Sequence, residues 1–135
     1  MKLPILTAAA LLVAGTASAE HLNIATDGAR FKDDTITFSS VLMDKPGWIV
    51  VHAMEDGAPV LPQSVGATMI ETGVTTDVEV MIDGGVMKDT GYMAMLHYET
   101  NGNDSYDFGV ENTMDDGPAT KADGSPYMTE FKTDM

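Results

Sequence analysis

Beyond residue 19 no window of this chain carries an apolar stripe of helical spacing. Its apolar residues fall instead in short runs of period two, each ended by turn formers. That pattern confines the chain to an all-β architecture, because side chains on a strand alternate between two faces. Residues 35–43 (TITFSSVLM) set Ile36 and Phe38 against Thr35, Thr37 and Ser39, and stop at the turn tetrapeptide Asp44-Lys45-Pro46-Gly47. Residues 48–54 (WIVVHAM) are apolar on both faces, as befits a central strand covered on both sides. Residues 55–62 read as a loop and 64–72 as a weaker strand. Residues 77–83 alternate cleanly, with Val78, Val80 and Ile82 inward, and Gly84-Gly85 closes the run. Residues 92–100 (YMAMLHYET) place Tyr92, Ala94, Leu96 and Tyr98 on one face and Met93, Met95, His97 and Glu99 on the other. A long polar loop, residues 101–126, precedes a last strand at 127–133 with Tyr127 and Phe131 inward.

Some six or seven strands within residues 20–135 predict one domain, a Greek-key β-sandwich of immunoglobulin-like or cupredoxin-like type with about seven strands. A small closed barrel is the alternative. No internal repeat of fixed period is present.

The first 19 residues read differently. A basic start at Lys2, an apolar run over residues 3–15 too short to span a bilayer, and the A-x-A ending Ala17-Ser18-Ala19 together predict a signal peptide with cleavage before Glu20. The expected location is therefore the periplasm or the exterior. No later apolar run reaches the roughly 18 residues of a membrane span. With Lys2 removed, six basic residues face 21 acidic ones, a net charge of −15.

That charge bears on partners. Phosphate backbones are neutralised by clustered Lys and Arg, and here the basic residues are scattered singly, so nucleic acid is not an expected partner. The absence of Cys removes disulfides, thiolate metal sites and thiol catalysis. The excess of acid suits a surface facing high ionic strength, where salt screens its self-repulsion.

A series of blocks carries a resemblance: Pro46-Gly47-Trp48-Ile49-Val50-Val51-His52-Ala53, then Thr76-Asp77-Val78-Glu79-Val80, Ala94-Met95-Leu96-His97-Tyr98, Asn101-Gly102-Asn103 with Tyr106-Asp107-Phe108, and Asp116-Gly117-Pro118. In this order they resemble a family of exported β-sandwich domains catalogued as a domain of unknown function. The resemblance implies an extracytoplasmic, all-β, non-catalytic module and carries over no activity. The chain departs from the family pattern in its Met enrichment, at Met81, Met93 and Met128.

Catalytic signatures are missing: there is no G-x-S-x-G elbow, no Cys nucleophile and no H-E-x-x-H. The acidic pairs Asp33-Asp34 and Asp115-Asp116 sit in turn contexts, where a solvated carboxylate is the expectation. The segment Asn101-Gly102-Asn103-Asp104-Ser105-Tyr106-Asp107 spaces oxygen side chains as calcium loops do, but Tyr106 and Asn112 stand where an EF-hand needs Gly and Glu, so a plain turn is expected.

A sharper signal is Met93-Ala94-Met95-Leu96-His97. Met93, Met95 and His97 share one strand face, so methionine occupies positions where polar residues are expected. Thioether and imidazole together suit copper, sulfur favouring Cu(I). Met93 and His97 lie about 13 Å apart on a strand and cannot comfortably share an ion, whereas Met95 and His97, about 6.6 Å apart, can. His52 is the internal imidazole available to complete the set, giving His52, Met95 and His97, with Met93 peripheral. Core packing of the same face beneath the long loop is the competing account, since Met readily fills gaps. His21 beside the free amine is an adventitious copper ligand at an end expected to be disordered. The function expected is thus an exported binding or interaction module for an unknown protein or small ligand, with copper binding or carriage as the alternative.

Overall fold

The computed structural model describes residues 21–134, so the expected signal peptide and cleavage point lie outside the described residues. The described residues form nine strands and no helix: β1 (Asn23–Ala25), β2 (Arg30–Lys32), β3 (Thr35–Met43), β4 (Gly47–Glu55), β5 (Ala58–Pro59), β6 (Gly66–Ile70), β7 (Gly73–Met81), β8 (Gly91–Tyr98) and β9 (Met128–Lys132). They make two packed sheets, the expected β-sandwich. In the first, β3 is flanked by β7 on one edge and by β2 and β1 in succession on the other. In the second, β4 has β6 and β5 along one edge and β8 along the other, and β9 completes the sheet beyond β8.

The strands absent from the sequence reading are the short ones, β1, β2 and β5, which are too brief to show a period. β1 corrects the expectation of a disordered end: Leu22 and Ile24 are buried in the core, and His21 Nε2 lies 3.1 Å from the Thr120 carbonyl oxygen. β7 spans Gly73–Met81 where residues 77–83 were expected, because Asp77 takes a positive φ of 51° and interrupts the alternation before Val78 and Val80 resume it.

The alternation dictates the core. Ile36 and Phe38 of β3, Val78 and Val80 of β7, Ile49 and Val51 of β4, and Ala94 and Leu96 of β8 meet between the sheets. Phe131 of β9 closes one end, edge-on to Phe38 at 5.4 Å and stacked on Tyr92 at 6.0 Å. Every one of these strands thereby spends one face on the core. β4 and β8 also bury the other face, which is where the sequence had placed its methionines and histidines.

Candidate functional site

The second face of β4 and β8 is assembled by register. Trp48 pairs with His97, Val50 with Met95, and His52 with Met93, so all six share the side of the sheet away from the core. β9 adds to it, because Met128 pairs with Met95. Gly47 allows the close approach at one end: a Cβ there would run into the His97 carbonyl oxygen.

Two loops cover this face. Residues 99–126 are laced to β8 where β9 ends, with Tyr98 N–H donating to the Gly117 carbonyl at 3.0 Å and Ala119 N–H to that of Leu96 at 2.8 Å. Residues 56–65 cover the other end, with Val65 N–H donating to the Val51 carbonyl at 2.8 Å. The face is buried beneath the long loop, as the packing account of it expected, and does not point outward to solvent. Met95 is 3% exposed, and His52 and His97 are as fully buried.

Burial does not close the space. His52, Met95, His97 and Met128 line one cavity of about 400 Å³ with Leu61, Pro62, Phe108, Thr113, Pro118 and Pro126. Met93 is not part of its lining; partly exposed, it stands opposite His52 at the far end of the ladder. Among the described residues no carboxylate borders the cavity, despite the acidity of the chain. Met128 and Leu61, 37% and 50% exposed, stand at its mouth.

Each imidazole is fixed by a main-chain carbonyl. His52 Nδ1 lies 2.6 Å from the Gln63 oxygen and 3.2 Å from that of Val60; His97 Nδ1 lies 2.7 Å from the Asp116 oxygen. A carbonyl only accepts, so each Nδ1 carries the proton and each Nε2 presents a lone pair. His52 Nε2 is buried with no hydrogen-bond partner. His97 Nε2 has a 3.4 Å approach from the Tyr106 hydroxyl, which is equally far from Nδ1 and too long for a good bond. Burial lowers the pKa of both imidazoles; at His97 the proximity of His52 adds to the fall, to about 4. Both are neutral at pH 7. Along the ladder the two histidines stand four rungs apart, about 13 Å, with the Val50–Met95 rung between them. Met95 is therefore the residue within reach of either ring.

His97 is held between Tyr106, edge-on at 5.2 Å, and Phe108 at 5.1 Å, and Tyr106 packs in turn on Trp48 at 5.8 Å. Trp48 Nε1–H donates to Glu99 at 3.0 Å, a bond that holds the Glu99 carboxyl below its usual pKa. Asp116 organises the loop. Its carboxylate accepts the Thr100 and Asp107 N–H groups at 3.0 and 2.8 Å, and its own N–H donates to Thr100 Oγ1 at 2.8 Å. Asp116 is fully buried, which corrects its reading as a solvated turn carboxylate: two backbone donors replace the water.

In the Asn101–Asp107 segment the oxygens are engaged internally. Asn101 and Asn103 amides both donate to Asp107 Oδ2, at 2.7 and 2.8 Å, and Asn103 Oδ1 accepts from Ser105 N–H, the bonding of a plain turn. Among the described residues no three His, Asp or Glu side chains gather as a metal set.

The model of a domain of unknown function, DUF7282, matches residues 22–134. The chain belongs to this family. The DUF7282 match takes in the whole sandwich and with it every residue lining the cavity. The chain is also 30% identical over 111 residues to Cell surface glycoprotein 2 of Haloarcula hispanica, an alignment covering 82% of the chain and 11% of that protein. It thus spans about a tenth of the length of this curated relative. No solved structure matches.

Met128, Phe108, Tyr106 and Asp116 were not singled out as site residues from the sequence. Met128 had a legible signal. With Tyr127 and Phe131 inward, it occupies an outward position where a polar residue is expected, as Met95 does. The other three lie in an aperiodic loop, where sequence order says nothing about which side chains fold back over a sheet.

Proposed function

We propose that this chain is an exported module displayed at the cell surface, that it binds rather than catalyses, and that its bound species is a copper ion held on Met95 by the imidazole of His52, with His97 on the other side of Met95 as a second nitrogen position. The observation that carries the reading is the buried, unpartnered Nε2 of His52. An orphaned buried acceptor is costly unless something supplies its partner. Further support comes from the carbonyls on both Nδ1 atoms, the usual outer support of a metal-binding imidazole. Met95 lies between the rings and supplies the soft donor; the rings stand about 13 Å apart along the ladder, so an ion on Met95 takes one imidazole at a time as its nitrogen partner. Surface display is supported by the relative named as a cell surface glycoprotein and by the signal-like first 19 residues.

A second reading, a small apolar molecule donating hydrogen bonds to the imidazoles, is favoured by the cavity volume of about 400 Å³, more than a bare ion occupies. Elemental analysis of the protein purified from its native envelope fraction tests the first reading. Near one copper per chain is expected, and the His52→Ala, His97→Ala double variant should lose it. A metal-free chain whose intact complex carries an organic mass would transfer the case to the second.

A further inference from the structure

We infer that the cavity selects a soft monovalent cation, of the Cu(I) and Ag(I) class, against divalent ions, and that Met128 supplies a second sulfur donor at its mouth. The inference rests on the metal reading above.

The selectivity follows from what lines the cavity. Its donors are the neutral nitrogens of His52 and His97, the thioethers of Met95 and Met128 and the hydroxyl of Thr113; among the described residues no carboxylate and no phenolate borders it. The cost of desolvating an ion grows as the square of its charge. A dication taken into this apolar lining would therefore lose about four times the hydration energy of a monocation, with no anionic ligand to offset it. Imidazole serves Zn(II) and Cu(II) as well as Cu(I), so the choice among ions comes from the thioethers, which suit Cu(I), and from the missing anionic ligand. The carboxylates of this acidic chain lie outside the lining, where they draw cations of either charge towards the surface without choosing between them.

Met128 belongs to the site by register. It is the cross-strand partner of Met95, and directly opposed residues carry their Cβ atoms on one face about 4.5–5.5 Å apart. Met95 is almost wholly buried while Met128 is over a third exposed, so the two sulfur-bearing side chains occupy the deep end and the mouth of one cavity. An ion entering from solvent meets Met128 first.

The test uses the exported chain in a His21→Ala background, which removes the amino-terminal imidazole as a competing ligand. Anaerobic competition against bathocuproine disulfonate measures Cu(I). Ag(I) is followed through the methionine methyl signals by NMR, and Zn(II) and Cu(II) are titrated separately. Expected are one equivalent of Cu(I) or Ag(I), Met95 and Met128 methyl shifts on Ag(I) addition with Met93 unmoved, and no stoichiometric Zn(II) or Cu(II) binding. Met128→Leu, which keeps the side-chain volume, should weaken Cu(I) by about tenfold or more, while Met93→Leu leaves it unchanged. Dication binding as tight as Cu(I) and abolished by His52→Ala would overturn the selectivity and leave the metal reading standing. An unmoved Met128 methyl together with an unchanged Met128→Leu affinity would remove Met128 from the site. Failure of the parent chain to bind Cu(I) or Ag(I) would end the metal reading itself.

Discussion

The imidazole of His97 donates its Nδ1 proton to the main-chain carbonyl of Asp116, 2.7 Å away and nineteen residues along the chain. Through that bond a strand residue and the loop that roofs it hold each other in place. The Asp116 carboxylate fixes the same loop to itself by accepting two backbone N–H groups, so the orientation of His97 and the shape of its cover share one anchor.

Asp116→Ala should therefore act on both stability and site. It leaves the Thr100 and Asp107 N–H groups without their acceptor, at a cost of about 2–4 kcal/mol. Denaturant unfolding measures the loss. Faster hydrogen exchange across residues 99–118 should accompany it, while the β3–β7 ladder stays protected.

Stability should fall with pH through the histidines. The native pKa of His97 is about 4 against an ordinary 6.5, and that of His52 is also lowered, both chiefly by burial. Between those values the unfolded chain binds protons that the native chain refuses, so unfolding becomes easier as pH falls from about 6.5 to about 4. His97 alone accounts for about 3 kcal/mol over that window. Urea titrations at pH 7, 5.5 and 4.5 should show the decline, and His97→Gln should make it shallower. A flat profile in the parent chain would mean that the imidazoles are solvated.

Met95→Ala should destabilise by about 2–4 kcal/mol, since a side chain 3% exposed leaves a cavity when truncated. Met93→Ala should cost distinctly less, because Met93 is partly exposed and outside the cavity. Chemical denaturation of the two variants side by side separates packing from metal binding, which the copper titrations report independently.

Added salt should raise the melting temperature. The formal charge of −14 repels itself, and the basic residues are too few to pair most of it; Arg30 with Asp77 at 3.1 Å is an exposed bridge of small worth. Thermal scans at 0.01 and 0.1 M ionic strength span a fall in Debye length from about 30 to about 10 Å. No rise would point to local pairing or bound cations.

The periodicity by itself determined the sandwich, the long strands and which of their residues face the core, because a period of two with one buried face leaves little freedom of register: Ile36, Phe38, Val78, Val80, Ala94 and Leu96 are all inward as read. It also put Met95 and His97 on the face away from that core. What it left open was whether His52 joins them, because the face a strand shares with its neighbour depends on the rung at which they meet. That was decided by the β4–β8 pairing of Trp48 with His97. Nor did sequence reveal that this second face is roofed. The roof is an aperiodic loop held by a buried carboxylate, Asp116, whose partners are backbone N–H groups that any residue would supply. Contacts of that kind leave no mark on composition or period, so only the tertiary structure places two neutral imidazoles and two thioethers around one cavity.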